Sequence, residues 1–484
     1  MTDEAAMAGN APRNDPQPTP QRAGGVSHKP GRPRKLPRAS LGDTLRVVST
    51  IVLPLMARGL IVRRSAMVRG AERMNADAKA VQLLQDLRRT YGRGPLRLHI
   101  PGRRMAIVLS PEHVHRVLEE SPDPFTPAVR EKRSALSHFE PHGVLISSNE
   151  DRPDRRRFNE ETLDESSSVH RGANAMMDAI NEEIDALVAG AGATGTLVWD
   201  DYSRTFMRMA RRVTLGNSAA DDEQITDDLL ALRATANWAF LHPKRRALRE
   251  RFLRRVQHYL DRAEPGSLAE WAARAHRTAN TYPEHQVPQW LFAFDAANWA
   301  SYRALALLAS HPARRTTAVQ EIAGRDLRTP QNLPFLRATV LESLRLWPTT
   351  PAVLRESLRR TQWEDGPMPG NTNILIYAPF FHRDDEHVEA AHRFEPEHWA
   401  HERTSKDWPF IPFSAGPAIC PGRNLVLHTT STLLGRLLQE WELTLTDDRL
   451  NPSLPLPGTL DMFTLRFAVR AREGTKRPVS KEKD

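Results

Sequence analysis

Cysteine is almost absent from this sequence, since Cys420 is the only one in 484 residues. An intramolecular disulfide is therefore excluded, which fits a reducing compartment such as the cytoplasm. An uncharged membrane span is also lacking. The apolar stretch 47–57 is interrupted by Pro54 and is shorter than the roughly 20 residues that a bilayer requires. We expect no integral membrane segment, with a helix lying on a membrane surface as the alternative.

Acidic residues are outnumbered by basic ones. The chain has 68 Lys and Arg against 59 Asp and Glu, a net charge of +9. The sequence pI is about 9.9 and the mean hydropathy is −0.53. The low hydropathy favours a soluble protein. A basic surface suits an acidic partner such as an electron carrier, and it also suits non-specific contact with nucleic acid or membrane.

Both chain ends have a tail-like composition. Residues 1–40 are rich in Pro, Ala, Asn and Arg without an apolar period, which predicts a disordered basic tail. Residues 476–484 form a second, charged tail. Within the first tail, residues 29–35 resemble the AT-hook, a short reader of the DNA minor groove. A solvated tail without a partner is the favoured interpretation, so nucleic-acid binding is not expected.

The region around the cysteine has a fixed spacing of aromatic and small residues. Phe413 lies seven residues and Gly416 four residues before Cys420, and Gly422 lies two residues after it. Residues 424–438 then carry apolar side chains at steps of three and four, which predicts a helix with Pro421 in its first turn. A thiol at a helix N-terminus is favoured as the thiolate. The alternative is a buried cysteine acting as a small apolar residue.

The pattern F-x-x-G-x-x-x-C-x-G resembles the haem-thiolate signature of the cytochrome P450 family. The resemblance implies one catalytic domain over residues 41–475, mainly α with a small β-sheet region. Haem b would lie between a long central helix and the cysteine helix, with Phe413, Gly416 and Gly422 around it. Cys420 would be the axial iron ligand, whose thiolate favours O–O cleavage. Ala418 is a departure, because the family has Arg or His there to pair with a haem propionate.

The resemblance assigns three arginines to the haem propionates. Arg355 follows a proline-rich step, and Arg152 and Arg156 occupy positions where the family has Trp and a basic residue. A surface arginine beside Glu356 is the alternative for Arg355. A solvated charge run is the alternative for the other two.

Residues 290–310 are apolar nearly all round and predict a long central helix. The resemblance places Asp295 and Ala296 where the family has the acid and the alcohol that supply protons for oxygen activation. Ala296 lacks a hydroxyl, so a water or a substrate hydroxyl is expected to replace it, and Asn298 is a second polar candidate. Asp295 paired with a basic neighbour is the alternative. The residues expected to line the substrate pocket are Phe292, Ala293, Val353, Met462 and Phe463, the last two on a hairpin tip.

Two further groups of residues follow from the resemblance. Glu342 and Arg345, three apart on a helix over residues 332–347, match the family's scaffold motif. His398 takes the position of a third, basic member and makes it titratable. Basic residues beside the thiolate, namely Arg155, Arg157 and Arg423, are candidates for docking an acidic electron carrier.

The implied function is a monooxygenase that inserts one oxygen atom of O2 into a small, mostly apolar molecule. A separate ferredoxin or flavodoxin system would supply the electrons, and the enzyme would be cytoplasmic, with peripheral membrane association as the alternative. Because Ala296 departs from the family, a haem-thiolate isomerase, dehydratase or peroxide-using enzyme is one alternative function. A non-enzymatic haem sensor or DNA-tethered regulator, suggested by the basic tail, is another.

Overall fold

Helices account for most of the described chain. The structure, a computed structural model, describes residues 35–59, 61–236, 239 and 242–472. The α-helices are α1 (Leu41–Val47), α2 (Leu53–Arg58), α3 (Ser65–Arg73), α4 (Ala76–Tyr91), α5 (Pro111–Glu119), α6 (Arg130–Leu136), α7 (Arg152–Leu163), α8 (Ala173–Thr194), α9 (Trp199–Leu215), α10 (Glu223–Ala236), α11 (Arg246–Arg262), α12 (Leu268–Arg274), α13 (Val287–Ser310), α14 (Pro312–Ile322), α15 (Pro334–Leu346), α16 (Ala378–His382) and α17 (Arg423–Glu440). The strands are β1 (Leu96–Ile100), β2 (Arg103–Ile107), β3 (Phe125–Thr126), β4 (Thr196–Val198), β5 (Ala352–Ser357), β6 (Thr361–Trp363), β7 (Gly366–Met368), β8 (Thr372–Tyr377), β9 (Trp441–Leu445) and β10 (Arg466–Ala471). The predicted class, mainly α with a small β-sheet region, is confirmed.

Three small sheets complete the architecture of the described residues. The largest has the strand order β1-β2-β8-β5-β3, and the others are β4-β10-β9 and β6-β7. The predicted hairpin of β1 and β2 is present, with Leu98 opposite Met105. Strand β5 pairs antiparallel with β8, so Arg355 lies opposite Ile374 in the largest sheet. This pairing fixes the position of Arg355 in the interior.

The predicted central helix is α13, which is 24 residues long. Most of its side chains are buried, because it packs against α9, α15 and α17. A helix surrounded by other helices has no side facing water, which explains its apolar sequence. These four helices contribute to one apolar core, and a second core lies around the largest sheet.

The Glu342–Arg345 pair ties α15 to the segment that precedes the cysteine loop. Arg345 donates to both carboxylate oxygens of Glu342, at 2.8 and 2.6 Å, and both side chains are fully buried. The same guanidinium donates to the carbonyls of His382 at 2.8 Å, Ala391 at 3.1 Å and Arg393 at 2.9 Å. Every one of these backbone acceptors lies between α15 and the cysteine loop, so the arginine holds that segment in place.

Glu342 has more partners than the sequence indicated. His398 Nδ1 lies 3.8 Å from a Glu342 oxygen, within ion-pair range but beyond hydrogen-bond distance. The indole of Trp399 and the backbone N–H of Glu395 donate to the two oxygens at 2.9 Å each. Burial alone would raise the pKa of Glu342, but Arg345 and, to a smaller extent, His398 lower it to about 2. Glu342 is therefore a carboxylate throughout the physiological range.

The N-terminal boundary differs from the prediction. Residues 35–40 were assigned to the disordered tail, yet the backbone of Ala39 donates to Arg97 at 2.9 Å, and Leu36 is buried. Edge pairing with β1 orders this segment. The AT-hook resemblance lies outside the described residues except for Lys35, and so does the tail 476–484. None of the described helices combines the length and apolar content that a membrane span needs.

Candidate active site

The cysteine loop is a short turn that ends where α17 begins. A 3-10 turn spans Gly416–Ala418, and the backbone N–H of Cys420 donates to the Phe413 carbonyl at 3.0 Å. Helix α17 starts at Arg423, with Gly422 as its N-cap. The prediction that Pro421 lies in the first helical turn is wrong, because two turn residues separate Cys420 from the helix. The thiol still lies within one turn of the helix N-terminus.

The surroundings of Cys420 exert opposing effects on its thiol. Cys420 is half-buried, and burial raises the pKa of the thiol. A hydrogen bond from the Gly422 backbone and the charges of Arg156 and Arg423 act in the opposite direction. Burial is the largest of these effects, so the pKa of the thiol is raised overall, while the Gly422 N–H and the two arginines favour the thiolate, the form that binds a metal.

The two glycines of the motif differ in how strictly the structure requires a residue without a side chain. Gly416 has φ +65°, and a Cβ there would overlap the backbone carbonyl of Leu118 on α5. Gly422 has φ −89°, and a Cβ there would meet only the Leu163 side chain at 3.8 Å. Only glycine fits at position 416, whereas position 422 tolerates a methyl group.

This difference gives a matched pair of variants. Gly416→Ala is expected to lower the free energy of unfolding by about 2–4 kcal/mol, through backbone strain and overlap with Leu118. Gly422→Ala is expected to change it by about 0.5 kcal/mol or less. Urea denaturation of both variants measures the contrast. Equal losses would contradict the packing argument.

One face of α13 is more open than the rest of the helix. Phe292, Ala293 and Ala296 are half-buried and recur at the helical spacing, whereas Leu291, Phe294 and their other neighbours are mostly buried. The predicted pocket residues of this helix therefore share one face. Ala296 places a methyl group, without a hydroxyl, on that face.

Asp295 has a basic partner, as the alternative interpretation required. Arg233 of α10 donates to the Asp295 carboxylate, donates to the carbonyl of Ile61 at 2.9 Å, and lies 4.1 Å above the ring of Phe292. Arg233 is 4% exposed. The acid of the predicted proton route is therefore held in an ion pair between α10 and α13.

The structure places Asn298 on a different face of α13 from Ala296, with its Oδ1 buried and without a hydrogen-bond partner. Its amide donates to Ser203 on α9 at 2.9 Å, and the residue is 1% exposed. Asn298 is two positions beyond Ala296, about 200° around a helix of 3.6 residues per turn. It therefore belongs to the interface between α9 and α13.

A cluster of three cations lies near the cysteine loop, of which Arg152 and Arg355 are buried and Lys132 is half-buried. Arg355 donates to Ser121 at 3.0 Å and to Ser414 of the loop at 3.1 Å, and Arg152 donates to the Val144 carbonyl at 3.0 Å. Lys132 Nζ lies 3.5 Å from the carbonyl of Leu354. Burial, followed by the charges of their cationic neighbours, lowers the pKa of both arginines to about 10 and that of Lys132 to about 7. Among the described residues, no carboxylate lies within ion-pair distance of Lys132, Arg152 or Arg355.

The other predicted propionate ligand is already engaged. Arg156 pairs with Glu160 at 2.5 Å and donates to the carbonyl of Ile419, the residue before Cys420. It therefore holds the cysteine loop by a backbone contact. The sequence prediction missed Lys132, because a lysine between Glu131 and Arg133 is typical of a solvated helix.

The remaining predicted pocket residues have mixed positions. Val353 is buried and shares a face of β5 with Arg355, two residues on. Met462 is buried, and Phe463 packs edge-to-face on Trp199 at 5.4 Å. The expected hairpin tip is instead a 3-10 turn, Met462–Thr464, directly before β10. The chain between β9 and β10 is long, so the turn lies at the base of the pair.

The predicted docking residues do not form an exposed basic patch. Arg155 is 4% exposed and donates inward, to the carbonyl of Asn280 and to Ser147. Arg157 is paired with Asp154 at 2.5 Å. Arg155 is therefore excluded from carrier docking.

The chain is similar to known proteins in both sequence and fold. The family model of Cytochrome P450 matches residues 293–466, a region that contains Asp295, the Glu342–Arg345 pair and the cysteine loop. This part of the chain matches the cytochrome P450 family. The crystal structure of a cytochrome P450, CYP102L1, superposes with a TM-score of 0.68 at 18% identity, covering 91% of this chain and 100% of the other. The predicted cytochrome P450 fold is therefore confirmed.

Cytochromes P450 from an animal and a yeast match one part of this chain. Probable cytochrome P450 4d20 of Drosophila melanogaster is 29% identical over 162 residues, 31% of this chain and 32% of the relative. Cytochrome P450 52A4 of Candida maltosa is 34% identical over 147 residues, 28% of this chain and 27% of the relative. The chain thus spans about a third or less of the length of these relatives.

The side chains of this site fit haem b, the cofactor of the family whose model matches the chain. The sole thiol lies half-buried before a helix N-terminus. Arg152 and Arg355 are buried and Lys132 is half-buried. All three cations lack a carboxylate among the described residues, and haem b carries two propionates. A porphyrin would thus supply the counter-charges and the iron that these side chains are suited to bind.

Proposed function

We propose that this P450 is a monooxygenase acting on a small organic substrate. One atom of O2 enters a C–H bond as a hydroxyl, and the other leaves as water, with two electrons from a carrier and two protons from solvent. The observation that carries the proposal is the lone thiol of Cys420, in a loop held by Arg156 and flanked by three cations without a carboxylate partner among the described residues. Haem bound there supplies the redox and oxygen-activating chemistry.

The protein residues bind and orient. Cys420 would hold the haem iron through its sulfur, while Arg355, Arg152 and Lys132 would bind the propionates. Phe292, Ala293 and Ala296 present an apolar wall to the substrate, since they share one half-buried face of α13. An apolar wall favours an apolar substrate by excluding water from the site.

Proton supply is the step for which this chain departs from its family. Ala296 has no hydroxyl to hold a water, and Asp295 is committed to Arg233. We propose that the Asp295 carboxylate passes protons inward when its ion pair with Arg233 opens, with a water or substrate hydroxyl at the position beside Ala296. The same gap favours a second candidate function, a haem-thiolate isomerase, dehydratase or peroxide-using enzyme, because these reactions need no protons from solvent for O2 reduction.

Isotope labelling separates the candidate functions. The full-length holoprotein is incubated with a panel of apolar small molecules, 18O2, NADPH and a ferredoxin with its reductase, and a parallel sample lacks reductant. A monooxygenase is expected to form products with one 18O atom, and only in the reduced sample. Conversion of an organic hydroperoxide without reductant, with no 18O product from any substrate, would establish the second candidate instead.

The partner and location are also proposals. We assign a ferredoxin or flavodoxin as the electron carrier, since the net charge of +9 attracts an acidic protein. Turnover is then expected to fall as ionic strength rises. The single cysteine supports a location in the cytoplasm.

A further inference from the structure

A cavity lies beside the C-terminal half of α13, and a second cavity adjoins it. The first, about 50 Å³, is lined by side chains that include Arg58, Arg63, Asp77, Arg303, Pro348 and Phe463. The second, about 270 Å³, shares Asp77, Pro379 and Gly458 with the first and adds Arg383. The wall between them is therefore formed in part by the only acid that lines either cavity among the described residues.

That acid is already neutralised. Arg58 donates to both oxygens of Asp77, at 2.6 and 2.7 Å, and the hydroxyls of Tyr377 and Thr459 donate at 2.7 and 2.8 Å. The carboxylate has four donors, and one arginine balances its charge. Asp77 therefore has no acceptor position left for the other arginines of the first cavity.

Arg63 and Arg303 have no carboxylate partner among the described residues. Arg63 donates to the carbonyls of Gly59 at 2.9 Å and Thr349 at 2.8 Å. Arg303 is 9% exposed and donates to the carbonyl of Trp347 at 2.8 Å. Its Nε is buried without any partner. Burial and the nearby positive charge lower the pKa of Arg303 to about 9 and that of Arg63 to about 10.

Two unpaired guanidinium groups facing one cavity define the ligand chemistry. A buried charge without a counter-charge is strongly unfavourable, and guanidinium groups bind carboxylates and phosphates through paired hydrogen bonds. Because Arg58 already balances Asp77, the other two arginines are available to an anion, and the cavity of about 50 Å³ suits a small planar carboxylate group. Pro348 and Phe463 give the cavity an apolar side that suits an organic acid. We propose that the Arg63–Arg303 cavity binds the carboxylate group of an organic acid.

The site goes beyond the proposed monooxygenase activity and does not depend on it. Arg303 is eight residues after Asp295 on the same helix, about 12 Å along its axis. Two kinds of molecule carry a carboxylate that fits this cavity. The carboxylate belongs either to one end of a substrate whose apolar chain extends towards the open face of α13, or to a separate small acid.

Calorimetric titration of the full-length holoprotein tests the site. The probes are octanoate, the matched neutral octanol, and acetate. Octanoate is expected to bind more tightly than octanol, and Arg303→Met or Arg63→Met is expected to weaken octanoate binding about tenfold to hundredfold while leaving octanol unchanged. Arg303→Lys keeps the charge and is expected to retain part of the affinity.

Controls distinguish the site from general charge effects. Arg211→Met removes a buried arginine of α9 that donates only to Ala219, Ala220 and Thr226, and is expected to leave octanoate binding unchanged. A shift of the haem absorption with octanoate indicates a substrate carboxylate, whereas equal binding of acetate without a shift indicates a separate acid. If both methionine variants fail to fold, octanoate must still raise the melting temperature of the unmodified protein more than octanol does. No preference for the acid, or equal affinity in the Arg303→Met, Arg63→Met and unmodified proteins, would overturn the proposal.

Discussion

Cys420→Ala is expected to abolish both the thiolate-type absorption of the reduced carbon monoxide complex and all detectable turnover. No second thiol exists in the chain to replace the ligand. The thiolate is also the group that favours O–O cleavage, so any haem retained by the cation cluster would lack its axial partner. The measurement is the difference spectrum of the reduced protein with and without carbon monoxide, alongside product formation.

The fold is expected to survive this substitution. Cys420 contributes its backbone N–H to the Phe413 carbonyl, a contact that alanine keeps. The far-ultraviolet circular dichroism should therefore match that of the unmodified protein. Pro421→Ala, a change in the same loop that removes no side-chain donor, serves as the control and should retain the absorption band. Pigment and spectrum unchanged in Cys420→Ala would refute iron ligation by this sulfur.

Glu342→Gln is expected to lower the free energy of unfolding by about 3–5 kcal/mol, because Arg345 is left as a fully buried cation without a counter-charge. The control is Glu397→Gln, since Glu397 pairs with Arg314 at 2.6 Å on the surface and should contribute about 1 kcal/mol or less. Chemical denaturation of both variants measures the contrast. A similar small loss in the two variants would contradict the role of the buried pair.

The lowered pKa of Glu342 predicts that the folded protein loses stability in acid. The pKa of Glu342 is about 2 in the folded protein, below its ordinary value of 4.5. A carboxyl with a lowered folded pKa contributes stability above the unfolded pKa and loses it as the pH falls towards the folded value. Stability should therefore decline between about pH 4.5 and pH 2, and Glu342→Gln should show a shallower decline over that window. Parallel declines in the variant and the unmodified protein would contradict this assignment.

Features that lie within a single helix or turn could be predicted from the spacing of residues in the sequence. The apolar stretch of α13, the Glu342–Arg345 pair and the turn around Cys420 each depend on residues within a few positions of one another. Periodicity and motif spacing report such arrangements directly. The bounds of α13 and α17 were accordingly predicted to within a few residues.

Partners from distant segments could not be predicted in the same way. Arg233 reaches Asp295 across 62 residues, and Trp399 reaches Glu342 across 57. Nothing in the local sequence distinguishes these side chains from solvated ones. The position of Asn298 could not be predicted for a different reason, because the sequence of a helix that is apolar all round does not reveal which of its faces meets the site.

The three cations beside the cysteine loop have a consequence for assembly. Lys132, Arg152 and Arg355 are positive charges inside the fold, and each adds an electrostatic penalty that grows with burial. A doubly carboxylated pigment that neutralises them stabilises the native chain by mass action, in proportion to its free concentration. We therefore expect maturation of this polypeptide to depend on the cell's porphyrin supply, with scarcity of the pigment leaving loosened chains open to proteolysis.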